Sequence, residues 1–203
     1  MIIAGLTGSI GMGKTTTAQM FKEAGYAVFD ADAAVHSLYA KGGDAVALIH
    51  AVFPDAIENG EVNRAILGTH MRSDPLNLPV LESFIHPMVA ALRAKFIKAA
   101  QDRGDDIIIF DIPLLFETGG DEHVDVVIVV TAPAHIQRQR VMARSGMSED
   151  LFENLLSRQM PDDQKRAKAD YLIFTDKGLD FAREQVHKIL GELKQKEPKK
   201  KAR

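Results

Sequence analysis

Met1–Thr15, MIIAGLTGSIGMGKT, decides how the rest of the chain is read. An apolar run of strand length, Ile2 to Leu6, breaks into a loop carrying Gly8, Gly11 and Gly13, and Lys14 and Thr15 follow at once. The loop matches G-x-x-x-x-G-K-[ST], the phosphate-binding P-loop. A nucleoside triphosphate is held there largely by backbone N–H groups, and glycine lets the backbone come that close. Lys14 brings a point charge for the β- and γ-phosphates and Thr15 a hydroxyl for Mg2+. The helix starting at this point turns its positive end toward the anion. Ala18, Met20 and Phe21 are good helix material, and Gly25 is the expected stop, so the motif sits between a strand and a helix as its chemistry requires.

With 203 residues, 46% of them hydrophobic, the chain suits one large domain or a core with insertions. The absence of cysteine excludes a disulfide scaffold and thiolate zinc sites. The seven histidines show no HExxH or clustered ligand spacing, so no zinc site is expected. No basic stretch precedes the first apolar run, and no run approaches the length of a membrane span. The expectation is a cytoplasmic protein with no signal peptide and no membrane partner. The formal charge of −3 is uneven: Lys194, Lys196, Lys199, Lys200, Lys201 and Arg203 against Glu197 give residues 194–203 a net of +5, which leaves −8 for the rest. An acidic body argues against nucleic acid as the main ligand, and the tail 195–203 reads as a solvated terminus.

Tyr26 to Phe29 makes a short strand that ends on Asp30-Ala31-Asp32, two carboxylates where α/β folds place ligands. Asp30 suits an N-cap for the helix through His36, Leu38 and Tyr39, and Asp32 is the better candidate for a chemical carboxylate. Residues 42 to about 103 carry no strand pattern of useful length. They read as helices over Ala45–Phe53, ended by Pro54, over Asn63–Met71, capped by Asn63, and over Leu78–Ala100. In the last, Leu78, Leu81, Ile85, Val89, Leu92 and Phe96 form one stripe, and Pro87 should kink the helix or split it after His86. A helical block this long exceeds an ordinary crossover and suggests an insertion that shapes a second-substrate pocket.

Ile107 to Phe110 is apolar without alternation, the mark of a strand buried on both faces of a parallel sheet. It ends on Asp111, in the position of a Walker-B carboxylate that supports Mg2+. Pro113 to Phe116 is apolar where a loop should be polar; either it is buried or it lines the apolar part of a ligand. Val124–Val130 is a further buried strand, a helix follows from Ala134, Ala169–Phe174 is the last strand, and Leu179–Leu193 a closing helix. Between them Arg138, Arg140, Arg144, Arg158, Lys165, Arg166 and Lys168 collect. Arg140 and Arg144, at i and i+4, put two guanidinium groups on one face, an arrangement suited to a lid that closes on a transferring phosphoryl group.

The chain resembles the dephospho-coenzyme A kinases. The likeness is carried by GLTGSIGMGKT at 5–15, FDAD at 29–32, Asn63-Arg64, Ile85-His86-Pro87, DIPLLFE at 111–117, QRQRVMAR at 137–144 and KRAKADYLI at 165–173, in the family's order over nearly the whole chain. The resemblance implies ATP-dependent phosphorylation of the ribose 3′-hydroxyl of dephospho-CoA, giving CoA and ADP in the final step of coenzyme A synthesis. It also implies the fold: α/β, a three-layer P-loop kinase core with a five-stranded parallel sheet, plus a helical substrate-binding insertion and a lid. The expected layout is one domain over 1–194, with the core at 1–31, 104–137 and 169–194, the insertion at about 32–103 and the lid at about 138–168.

On this reading ATP is held by Gly8, Gly11, Met12, Gly13, Lys14, Thr15 and Thr16, and Mg2+ by Thr15 and, through water, Asp111. The family's proton acceptor matches Asp32, while His86, Leu114, Leu115, Phe116 and Glu117 fall in segments that meet dephospho-CoA, the apolar three against its pantetheine arm. Arg140 and Arg144 neutralise the phosphoryl group, and the protein is expected to act as a monomer or weak homo-oligomer. Ser9 and Met12 stand where family members usually have glycine and serine. Phe174-Thr175-Asp176 follows Ile173 where the family reads like Ile-Asp-Asn, so contacts to adenine are not carried over there. Another small-metabolite P-loop kinase, such as a nucleoside or nucleotide kinase, is the alternative. A GTP-binding switch protein fits worse, because no D-x-x-G follows the Asp111 strand and no N-K-x-D is present.

Overall fold

The computed structural model describes residues 1–197. Two compact units divide the chain, one formed by Met1–Phe29 with Ala100 onward, the other by Asp30–Ala99. In the first, β1 (Ile2–Thr7) leads through the glycine loop into α1 (Lys14–Glu23) and then β2 (Ala27–Asp30). After the second unit come β5 (Ile107–Asp111), β6 (Val126–Thr131), α6 (Ala134–Met142), α7 (Glu149–Ser157), α8 (Asp162–Ala167), β7 (Tyr171–Phe174) and α9 (Leu179–Leu193). The five strands form one sheet in the order β2-β5-β1-β6-β7. Pairing is parallel at β1–β5, β1–β6 and β6–β7, with β1 in the middle.

The non-alternating strands are buried on both faces, as parallel sheets require. Ile2, Ala4 and Leu6 of β1, Ile107 and Ile109 of β5, and Val126, Ile128 and Val130 of β6 share one face. There they pack with Ala18, Met20 and Phe21 of α1 and with Val186, Ile189, Leu190 and Leu193 of α9. On the opposite face, Gly5 leaves room for Leu115 and Val124, whose side chains would stand 3.0 and 3.2 Å from any β-carbon placed there. Gly25, at φ 88°, ends α1 as expected, with its N–H on the Lys22 carbonyl at 2.9 Å.

Two aspartates start strands by acting as an extra rung of the ladder. Asp125 donates its N–H to the Ile3 carbonyl and accepts the Ile3 N–H on Oδ2, both at 2.8 Å. Asp170 treats Val127 the same way, at 2.9 and 2.8 Å. These clamps explain why β6 and β7 begin two residues later than their apolar patterns suggest.

The second unit has a core of its own. It contains α2 (Ala31–Tyr39), α3 (Val46–Val52), a hairpin of β3 (Ile57–Glu58) with β4 (Glu61–Val62), α4 (Arg64–Ser73) and most of α5 (Asn77–Arg103). Leu38, Tyr39, Ile49, Phe53, Val62, Leu67, Leu81 and Ile85 pack together in it. Asp30 caps α2 through the Ala33 N–H at 2.9 Å, and Asn63 caps α4 through Ala65 and Ile66, as read from the sequence. The small hairpin corrects the expectation of an all-helical block. Its turn is Asn59-Gly60, both at positive φ, which is the strongest short hairpin signal a sequence carries.

Pro87 does not split α5, which runs through it as one helix. A proline in a helix interior costs about 3 kcal/mol. Leu81 and Ile85 before it and Met88, Val89 and Leu92 after it join the same cluster, and burial at about 1.5–3 kcal/mol per large side chain outweighs that loss.

Of the stretch expected to be a solvated tail, 198–203 lies outside the described residues, while Lys196 sits over the Tyr171 ring at 5.0 Å. Among the described residues no helix is long and apolar enough to cross a membrane. Asp125→Ala leaves the part-buried Ile3 N–H without its acceptor, a loss of about 1–3 kcal/mol. Thermal unfolding should show a Tm roughly 2–10 °C lower, and Asp125→Asn, which keeps an acceptor oxygen, should recover most of it.

Candidate active site

The glycine loop is built by close packing. A β-carbon on Gly8 would lie 2.6 Å from the Val130 carbonyl oxygen of β6, and one on Gly11, at φ 79°, would lie 2.5 Å from Val141 of α6. Only glycine fits either place. Three polar side chains then fix the loop's peptide planes. Gln137 Nε2 donates to the Ile10 carbonyl at 2.8 Å, Thr175 Oγ1 donates to the Met12 carbonyl at 2.8 Å, and the Ile10 N–H donates to Gln159 Oε1 at 3.1 Å. In a trans peptide C=O and N–H point opposite ways, so anchoring the Ile10 and Met12 carbonyls turns the Gly11 and Gly13 N–H groups away from those anchors. Met12 takes part through its main chain, since its side chain is buried with Sδ on the Ala132 N–H at 3.2 Å.

Gly13, at φ 93°, precedes α1, which has no side-chain cap and no acidic residue in its first turn. The Thr17 N–H bonds the Gly13 carbonyl at 3.0 Å, so the N–H groups of Lys14, Thr15 and Thr16 have no acceptor within the helix. An anion is the natural partner of such an end. The hydroxyl-bearing Thr15 and Thr16 are exposed beside it. Lys14, at the start of α1, forms an ion pair with Asp111 at the end of β5, where Asp111 is opposite Leu6 in the parallel register and 4% exposed. The lysine that follows the glycine loop and the carboxylate that ends β5 therefore converge.

Beside the loop lies a cavity of about 300 Å³ bordered by Gly11, Gly13, Thr16, Arg140, Arg144 and Thr175, among others. The i and i+4 spacing does bring both arginines to one place. Arg140 is held by the Thr175 hydroxyl at 2.8 Å and carbonyl at 2.7 Å, while Arg144, just beyond the end of α6, is exposed.

Asp32 stands in the first turn of α2, exposed, one turn before His36, and His86 is exposed on α5. The apolar loop after β5 divides. Leu114 is 40% exposed, whereas Leu115 is fully buried under Gly5 and Gly120, and Phe116 is 8% exposed with Lys168 5.6 Å from its ring centre. Leu115 and Phe116 thus pack into the protein, and Leu114 is the apolar residue of this loop most open to solvent.

Glu117 serves the fold. Its Oε1 pairs with Lys165, which is entirely buried, at 2.9 Å, and accepts the Met160 N–H at 2.7 Å. Sequence reading missed Gln137, Gln159, Thr175 and Lys165. Gln137 opens the QRQRVMAR segment, Lys165 opens KRAKADYLI and Thr175 lies in the segment that departs from the family, but none of these patterns says which distant group each side chain meets.

Burial by itself would raise the Glu117 carboxyl, but hydrogen bonds from Lys165 and the Met160 N–H more than offset it, and its pKa lies below the ordinary value. A carboxyl with a depressed folded pKa lends stability above its unfolded pKa and loses it as pH falls through the folded one. Thermal unfolding from neutral to acid pH should therefore show Glu117→Gln starting less stable than the parent, with the gap closing on the acid side of the ordinary glutamate range.

A sequence profile of the dephospho-CoA kinase family (CoaE) matches residues 2–180. The chain is 50% identical over 194 residues to a dephospho-CoA kinase from Mesorhizobium japonicum, covering 96% of this chain and 98% of that protein. Its fold matches the crystal structure of a Thermus thermophilus protein with a TM-score of 0.83 at 33% identity, covering 95% of this chain and 97% of that one. It also matches a dephospho-CoA kinase from Campylobacter jejuni with a TM-score of 0.72 at 23% identity over the same shares, a likeness of fold. A glycine loop feeding an uncapped helix, the first residue of that helix ion-paired to the aspartate that ends β5, and this breadth of similarity lead to one conclusion: the chain belongs to the dephospho-CoA kinase family and is an ATP-dependent kinase.

Proposed function

We propose that this protein transfers the γ-phosphoryl group of ATP to the ribose 3′-hydroxyl of dephospho-CoA, giving CoA and ADP, the final step of coenzyme A biosynthesis. The observation that carries the reading is the convergence of Lys14, Asp111 and the open first turn of α1 in a chain with this family membership. Gly8, Gly11, Met12 and Gly13 supply main chain around the phosphates, and Thr15 and Thr16 line the helix end. For Lys14, phosphate oxygens are anionic partners of the same kind as the carboxylate it holds. Thr15 offers a hydroxyl and Asp111 a carboxylate, hard oxygen donors that fit Mg2+, which keeps most of its waters in such sites. When bound, Mg2+ neutralises charge on the β- and γ-phosphates.

Asp32 accepts the proton of the 3′-hydroxyl as that oxygen bonds to phosphorus and the bond from phosphorus to the ADP oxygen breaks. The unit 30–99 takes dephospho-CoA, with His86 on its surface, and Leu114 offers apolar contact to the pantetheine arm. Residues 138–168 act as a lid, bringing Arg140 and Arg144 to bear on the transferring group, where fixed charge lowers the barrier more than covalent chemistry would. We place the reaction in the cytoplasm, carried out by a monomer or weak homo-oligomer without nucleic-acid or membrane partners. The charge of −8 outside residues 194–203 supports the exclusion of nucleic acid.

Incubation with ATP, Mg2+ and dephospho-CoA should yield ADP and CoA in equal amounts, and a preference for a nucleoside or nucleotide acceptor would overturn the substrate. Asp32→Asn should lower kcat by about 10²–10⁴-fold with ATP affinity unchanged. Near-parental turnover in that variant would remove Asp32 as the base.

A further inference from the structure

Thr175 contributes two oxygens to a neighbour it meets only in the folded chain. Its carbonyl accepts Arg140 Nη2 at 2.7 Å, and its hydroxyl accepts Arg140 Nη1 at 2.8 Å. That hydroxyl has one proton, which it donates to the Met12 carbonyl at 2.8 Å, so its lone pairs are left to face the guanidinium. The residue is itself fixed: its N–H donates to the Thr131 carbonyl at 3.0 Å, continuing the ladder between β6 and β7. Thr175 thus ties together a strand end, the phosphate-binding loop and the arginine beside it, all within the sheet unit.

Arginine has a long, freely rotating side chain, and its planar fork loses less freedom on binding when both nitrogens are gripped in advance. Arg140 also reaches the Gly11 carbonyl at 3.5 Å and borders the cavity beside the loop. Arg144, four residues on, is exposed.

We propose that Thr175 is a positioning residue for phosphoryl transfer: its hydroxyl and carbonyl set the direction of the Arg140 guanidinium toward the phosphate site. The inference rests on the role given above to Arg140. The hydroxyl is the part that a substitution can remove, since the carbonyl belongs to the backbone.

The test is a double-mutant cycle in the ATP and dephospho-CoA assay with the full chain. Thr175→Val keeps the branched shape and removes the hydroxyl; kcat should fall about 10- to 100-fold, the penalty of a displaced catalytic group, with KM for dephospho-CoA unchanged. Thr175→Ser, which restores the hydroxyl, should recover most of the rate. In an Arg140→Ala background, Thr175→Val should add less than about threefold, because its effect runs through the missing guanidinium. Thermal unfolding checks that each variant is folded, and Thr175→Ala replaces Thr175→Val if the latter is not.

A full rate for the hydroxyl-free variant, or an undiminished effect of Thr175→Val in the Arg140→Ala background, overturns the inference while leaving Arg140 in its role. A parental kcat for Arg140→Ala alone overturns that role, and the inference with it.

Discussion

Loop 8–13 has to lie against β6 and α6 with nothing between, and the surroundings of the site follow from that close approach. With no β-carbon on Gly8 or Gly11, the loop can sit on the Val130 carbonyl and on Val141. Its own main-chain carbonyls and one N–H then come within reach of side chains from three other parts of the chain. Gln137, Thr175 and Gln159 each take one polar group of the loop, and each such bond fixes a peptide plane. A backbone fixed in this way presents N–H groups to an anion without paying for their ordering at the moment of binding, the general advantage of preorganised electrostatics. Glycine makes the loop flexible in isolation, and packing makes it rigid.

The carboxylates show how one residue type is put to different uses by its surroundings. Asp125 and Asp170 are structural, each standing in for a rung of the sheet at the start of a strand. Asp30 and Asn63 cap helices. Glu117 neutralises a fully buried lysine and so holds α8 to the loop that follows β5. A buried ammonium is tolerated only when paired, and removing its partner costs far more than the pair contributes. Asp111 faces Lys14 at the ends of neighbouring elements, and Asp32 stands on the surface of another unit. A chain whose body carries a charge of −8 has thus placed several of its acids where they serve the fold, and composition alone does not show which.

The elements themselves were largely legible. The both-face burial of β5 and β6 follows from apolar runs without alternation, α1 ends at a glycine in the left-handed region, and α9 spans the residues its apolar spacing marks. Where reading failed, a named force won. Packing on both sides of Pro87 carried α5 through a residue that breaks helices locally. The Asn59-Gly60 turn made a hairpin too short to register as a strand pattern, although the dipeptide itself is a signal. Pro113 to Phe116 left two readings open, a buried loop or a ligand surface; Leu115 packs against Gly5 and is fully buried, while Leu114 is exposed.

By itself the sequence determined the sheet strands, the phosphate-binding loop and its lysine, the two helix caps and the family, because each is written in neighbouring residues whose local chemistry is sufficient. The folded chain alone decided that Lys165 is buried on Glu117 and that Thr175 holds Arg140. It also decided that Gln137 and Gln159 steady the loop. The reason is distance along the chain: Thr175 and Met12 are 163 positions apart, Gln159 and Ile10 are 149 apart, and no local pattern encodes a hydrogen bond between groups that only the parallel sheet brings together.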